Sequence, residues 1–407
     1  MTSFSITRCR PQRGFSIVEL MVSVVIAMLA LMFATRMVTS GERTKQTALA
    51  GSDSMQNGML AMFSLSNDAN QAGFGLNDPI IAGCDTTMVD SSGYTLMPAA
   101  AGSAVHPLAP VIIESNDTVS DRITFYSGSG VAGTPSARLL NPLNGGTSLT
   151  IDRKPYGFSA GKGSVTAQPD VIVIAPESGS AKCSLVQISA TATDSSGNAV
   201  LKFATTADTR FNGNGVSGNT YTGLGARIFD LGPADKLSFH TWSVSSGFLQ
   251  LRATDMPNST GAKAATVADN IVAIKAQYGF DTRPGAIFTP EQGTVVGQWS
   301  NTMIDADQAG GIGSPGDYAR VVAVRIAVVA RSKAPERPST GTVCDATKVA
   351  PTLFGTPQPQ TLAAVKVDNL NLAVTGDTVD WKCYRYRVFE TIVPIRNNAW
   401  RPTAWAI

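Results

Sequence analysis

A chain of 407 residues with 43% hydrophobic and 15% charged side chains can bury a sizeable core, and its length points to two or three domains. Its 38 glycines and 22 prolines argue for many turns and short strands and against a helical bundle. The net charge is only +2, and Arg8, Arg10 and Arg13 supply part of it near the N-terminus, so the electrostatic footprint of a nucleic-acid-binding protein is missing.

Residues 1–14 carry three arginines and no acidic residue. Behind them residues 15–35, FSIVELMVSVVIAMLALMFAT, hold a single charge, Glu19. About 20 apolar residues rising about 1.5 Å each cross a hydrocarbon core of about 30 Å, so residues 15–36 are expected to form a membrane-spanning helix. Positive charge is denser before this stretch than after it, which keeps the N-terminus cytoplasmic and exports the bulk of the chain. The apolar run is too long for an ordinary secretory signal and holds a carboxylate. Such a carboxylate costs roughly 2.5–3.5 kcal/mol inside a membrane, so Glu19 either meets a partner or snorkels to the nearby interface.

No proline occurs between Pro11 and Pro79, and apolar residues recur at Met55, Met59, Met62, Phe63, Ala69 and Ala72 with helical spacing. The helix is therefore expected to run on over residues 37–75 as an amphipathic continuation. Gly41, Gly51 and Gly58 should weaken its middle by about 1 kcal/mol each. Residues 76–407 then read as an exported, β-rich head. Strands are expected at 122–126, 171–175, 185–189, 200–204, 236–242, 248–252, 271–278, 318–331 and 384–395. Residues 271–278 alternate Ile271, Ala273, Lys275 and Gln277 against Val272, Ile274, Ala276 and Tyr278, and 384–387 alternate aromatic with cationic residues in the manner of a half-exposed strand. The run RVVAVRIAVVARS is too short for a second membrane span and is broken by Arg325, so it reads as a buried strand. Loops are expected at 99–110, 128–146, 212–225, 284–316 and 334–359.

Cys9 lies in the basic N-terminal segment; if that segment is removed, Cys84, Cys183, Cys344 and Cys383 remain, an even set that suits an oxidising compartment. Of the three possible connectivities, Cys84–Cys183 with Cys344–Cys383 closes moderate loops and is preferred; buried free thiols are the alternative. Other motifs are weak. Gly157-Phe158-Ser159-Ala160-Gly161 imitates a nucleophile elbow but lacks a good helix start behind it, and His240 is its lone downstream histidine. Residues 159–164 fail the register of a phosphate loop. Asp305 and Asp307 imitate the start of a calcium loop, with Ala309 and Gly316 where oxygen ligands belong. His106 and His240 make no zinc constellation. Trp381, Trp400 and Trp405 suit packing rather than ligand binding.

The segment RGFSIVELMVSVVIAML resembles the N-terminus of type IV prepilins and type II secretion pseudopilins, with Gly14 ending the leader, Phe15 opening the mature chain and Glu19 fifth. The resemblance implies cleavage between Gly14 and Phe15 by a prepilin peptidase, and N-methylation of Phe15. It also implies that Glu19 pairs with the N-terminal amine of a neighbouring subunit, which makes two costly buried charges tolerable together. QNGMLAMFSLSNDANQAGFG, DRITFYS, DVIVIA, CSLVQIS, DNIVAIKAQYGFDT, YARVVAVRIAVVARS and RYRVFETIVPIRN, in that order, extend the resemblance to PilW-type minor pilins. The implied fold is α+β, a long helix on a β-rich head. The implied role is that of a structural subunit in pilus assembly or initiation, without enzymatic activity. Its alternatives are a fibre-borne adhesin, a DNA-uptake module or a secretion pseudopilin. Partners would be major and minor pilins met through the helix, the prepilin peptidase and the inner membrane, followed by an extracellular pilus. No cofactor, metal, nucleic acid or small-molecule substrate is expected.

Overall fold

Without a proline to break it, one helix, α1 (Ile17–Gln71), runs unbroken through Gly41, Gly51 and Gly58. The computed structural model describes Gly14 and residues 16–399, apart from 131–135, 153, 155–156, 161–167, 180, 207–208, 214–215, 217, 257–262, 285–292 and 337–342. The chain divides into two units, Met1–Ser52 and Asp53–Ile407. The helix stops at Gly73, whose φ of +84° is the left-handed conformation favoured at such ends; its N–H donates to the Tyr126 carbonyl at 2.8 Å.

Among the described residues the strands are, in chain order, β1 (Cys84–Met88), β2 (Pro107–Leu108), β3 (Val111–Glu114), β4 (Arg122–Ser127), β5 (Ala137–Arg138), β6 (Leu143–Asn144), β7 (Ser148–Thr150), β8 (Asp170–Pro176), β9 (Cys183–Gln187) and β10 (Ala190–Thr193). They continue with β11 (Ala199–Lys202), β12 (Thr220–Tyr221), β13 (Ala226–Pro233), β14 (Ser238–Ser245), β15 (Phe248–Ala253), β16 (Ala265–Asp269), β17 (Ile271–Phe280), β18 (Gln298–Ser300), β19 (Val321–Arg331) and β20 (Tyr386–Pro394). Two short helices, α2 (Pro315–Ala319) and α3 (Arg396–Ala399), flank the last two long strands. The fold is α+β.

Three large sheets form the head. Their strand orders are β2-β1-β9-β8-β13-β5, β16-β15-β14-β4-β3 and β18-β17-β19-β20. Apolar alternation stacks them. In β8, Val171, Val173 and Ala175 join a core shared with the five-stranded sheet, while Ile172 and Ile174 face a core under β7, β10 and β11. In β4, Ile123 and Phe125 face α1 and the four-stranded sheet, whereas Tyr126 points the other way. Strands buried on both faces carry near-continuous apolar runs. That is why DVIVIA and RVVAVRIAVVARS were legible. The disulfides are Cys84–Cys183, tying β1 to its parallel neighbour β9, and Cys344–Cys383, with Cα–Cα distances of 6.0 and 4.8 Å.

Several expectations need correction. The helix packs through Ser54, Gly58, Ala61, Leu65, Ala69 and Ala72, while Met55, Met59 and Phe63 are exposed. Small side chains let the helix axis lie close to a sheet, and a Cβ on Gly58 would overlap the ring of Phe389. Residues 318–331 are not one strand, since α2 precedes β19, and Ala234–Lys236 is a turn of 3-10 helix. β13, paired between β8 and β5, was not expected at all. The expected loops contain the short strands β2, β5, β6, β12 and β18. Finally, β17 is buried along its whole length, Lys275 and Gln277 included. Their face is roofed by the segment carrying Leu353, Phe354, Leu370 and Leu372.

Candidate processing and assembly site

Gly14 is exposed, and a Cβ built there would meet nothing within 4 Å. The fold therefore does not require glycine at this position. Phe15 lies outside the described residues. Ser16 opens the helix, its Oγ accepting from the Val18 N–H at 3.3 Å. Glu19 sits in the first turn, where the helix dipole favours a carboxylate by about 0.3–1 kcal/mol. From Ile17 to Glu42 the helix is long and apolar enough to cross a membrane, and none of it is buried within the chain. Ile17, Val18, Leu31 and Met37, each 67–80% exposed, lie on different sides of the helix. A helix apolar all round wants an apolar surrounding that this chain does not supply.

The far end of α1 is seated by polar contacts as well as small residues. Asp68 accepts from Trp242 Nε1 and pairs with His240 Nδ1, both at 2.7 Å, and His240 Nε2 lies 2.8 Å from Asp255. Burial works against the charged imidazole, but the hydrogen bonds to Asp255 and Asp68 outweigh it and raise the pKa of His240 to about 9. His240 Nε2 also lies 2.9 Å from Ser238 Oγ, which superficially completes a Ser-His-Asp set. Both ring nitrogens of His240 face carboxylates, Asp68 on the helix and Asp255 beyond β15, so the group acts as a clamp that holds α1 against β14. Ser159 spends its N–H on the Asp170 carboxylate, and Gly161 of the expected elbow lies outside the described residues.

Asp305 and Asp307 do come together with a third carboxylate, Asp317, which sequence reasoning missed. Asp317 caps α2 with Ser314 in a reciprocal capping box, a pattern legible as Ser-x-x-Asp. Its carboxylate also accepts from the N–H groups of Ala306, Asp307, Gly313 and Ser314 at 2.6–3.2 Å, so its oxygens are already committed. The cluster is accounted for as a capped turn. Trp381 packs against Tyr386 with ring centroids 6.4 Å apart, while Trp400 and Trp405 lie outside the described residues.

Two family models match. The prokaryotic N-terminal methylation motif matches residues 9–35, which contain Gly14, Phe15 and Glu19. The type IV pilus-assembly protein W matches residues 243–397. The chain carries a PilW domain. That domain runs from within β14 to α3, so it holds the whole four-stranded sheet, its roof and the Cys344–Cys383 bridge. The six-stranded sheet, Cys84–Cys183 and Asp68 lie outside both matched spans. No curated protein and no solved structure matches the chain.

Proposed function

We propose that this pilin-like chain is a structural, non-enzymatic minor pilin that takes part in the assembly or initiation of a type IV pilus. Prepilin peptidase removes residues 1–14 and methylates Phe15, the span Ile17–Glu42 holds the chain in the inner membrane with the head exported, and Glu19 then meets the new amine of an adjoining subunit. The observation that carries this reading is the one carboxylate at the head of a fully exposed apolar helix, inside a matched methylation motif. In lipid a lone carboxylate is costly, and an opposed amine offsets that cost. A head of this size favours an occasional subunit over one repeated along a thin shaft. Deleting the gene and scoring surface fibres, twitching and enzyme secretion together tests the assignment. The expected result is loss of fibres and twitching with secretion intact; loss of secretion with normal fibres would instead make the chain a secretion pseudopilin.

A further inference from the structure

The charged side chains buried in the four-stranded sheet find partners. Lys275 pairs with Asp121 and Arg325 with Glu390, both at 2.8 Å. The backbone of the last strand, β20, is different. Just beyond its two ends, the Ser332 N–H donates to the Arg385 carbonyl and the Ile395 N–H to the Val322 carbonyl. Bonded pairs alternate along an antiparallel ladder, so the odd-numbered residues of β20 are the ones tied to β19. The N–H and C=O groups of Tyr386, Val388, Glu390 and Ile392 point away from the sheet, and no described residue bonds to them.

Natural sheets blunt such edges with short strands, bulges, prolines or charges. Among the described residues the other edge strands of the three large sheets, β2, β3, β5, β16 and β18, are two to five residues long. β20 has nine residues and pairs with β19 without a register shift. Its proline, Pro394, comes only at its last residue. Glu390 does not guard the edge, because its carboxylate takes Arg325 and the Phe354 N–H. Arg387 is exposed; its guanidinium meets Met55 Sδ at 3.5 Å and no carboxylate among the described residues. That contact sets one flank of α1 beside the edge. Met59 and Phe63 follow Met55 on this flank at intervals of about one turn, and all three are exposed, Phe63 by 71%. Ile392, on the opposite face of β20 from Arg387, is also exposed.

We propose that the edge of β20 takes an extended segment from the head of another pilus subunit, which becomes a fifth strand of this sheet. A row of unpaired backbone donors and acceptors selects a strand, and neither a lipid nor a small molecule satisfies it. A strand about 4.8 Å beyond β20 lays its helix-side residues against Met59 and Phe63, so those residues are apolar, and it sets an acidic side chain opposite Arg387. A second copy of this chain does not fit. Two-fold pairing of β20 with itself turns the two α1 helices antiparallel, which subunits inserted from the same side of one membrane do not allow. The proposal rests on the pilin reading above.

The test is crosslinking in living cells, with photoreactive p-benzoylphenylalanine placed in the full chain at Phe63, at Ile392 or, as a control, at Val349, which is 77% exposed. The first two probes should capture a protein that carries its own N-terminal methylation motif, at an extended segment holding an acidic residue, and the control should not. Arg387→Glu should lower capture at Phe63 about threefold or more, with its unfolding midpoint unchanged. Ile392→Pro should lower it about tenfold, because the ring removes an outward donor and leaves the ladder to β19 intact. Entry into sheared fibres is scored in the same strains. A chain that enters fibres without capture at either probe overturns the edge pairing alone. A chain that stays out of fibres and captures only proteins lacking the motif overturns the pilin reading as well. Capture of a second copy, or of residues 400–407 of the same chain, overturns the choice of partner, and capture that neither variant weakens overturns the role of the edge.

Discussion

The two ends of α1 present opposite surfaces. From Ile17 to Glu42 it shows large apolar side chains on every side and buries none of them. Between Ser54 and Ala72 it buries small ones, Gly58, Ala61, Ala69 and Ala72, against the head, and an aspartate anchors it. The contrast teaches where each surface is completed. Small residues mark a contact already made within the chain, since they let backbones approach. Large apolar residues left in the open mark one still to be made, with lipid or another subunit.

The sharpest way to break this comparison is at Glu19. Glu19→Val makes the exposed end more apolar and should leave membrane fractionation unchanged while abolishing entry into fibres. Recovery of the variant in sheared fibres at the normal level would show that the carboxylate has no assembly role. At the seated end the largest effect is expected from Gly58→Val, because the new side chain would overlap Phe389. It should cost about 3 kcal/mol in denaturant unfolding, with partial recovery in the double variant that also carries Phe389→Ala. A smaller effect concerns the clamp. The folded pKa of His240, about 9, exceeds its ordinary value of 6.5. Its contribution is therefore complete below pH 6.5 and is lost as pH rises through 9. Unfolding measured across that window should lose on the order of 2 kcal/mol, and His240→Gln should flatten the decline. Asp255 is the counterpart: burial opposes its charge, but the His240 hydrogen bond and charge hold it below the usual carboxylate range, so its share fails only in acid.

What was legible follows from the same contrast. Near-continuous apolar runs announced the membrane-length helix, β8 and β19, because a segment with no solvated face carries few polar residues, Glu19 and Arg325 being the exceptions. The packing face of α1 was misread in part: Met62, Ala69 and Ala72 were placed on it correctly, but Gly58 and Ala61 carry little hydrophobic signal, and the eye follows Met55, Met59 and Phe63 instead. β13 was missed because Arg227 and Asp230 interrupt its apolar residues and its register shifts at Gly232. In β17 alternation gave the faces correctly from Ala273 onward, but the register shift between Ile271 and Ala273 puts Ile271 on the face of Ile274 and Val272 on that of Ala273; nor does alternation say what covers a face. The cover arrives from residues 353–372. Gly14, Phe15 and Glu19 were readable as a contiguous motif. Asp68 and Asp121 were not, because the groups that give them meaning, His240 and Lys275, lie 172 and 154 residues away.

Mass spectrometry of the N-terminal peptide from the mature protein tests the central claim most directly, because both the anchor and the Glu19 pairing presuppose a new amine next to that carboxylate. The account predicts a peptide that begins with an N-methylated Phe15. A mature chain beginning upstream of Phe15, or downstream of the apolar helix, would contradict it.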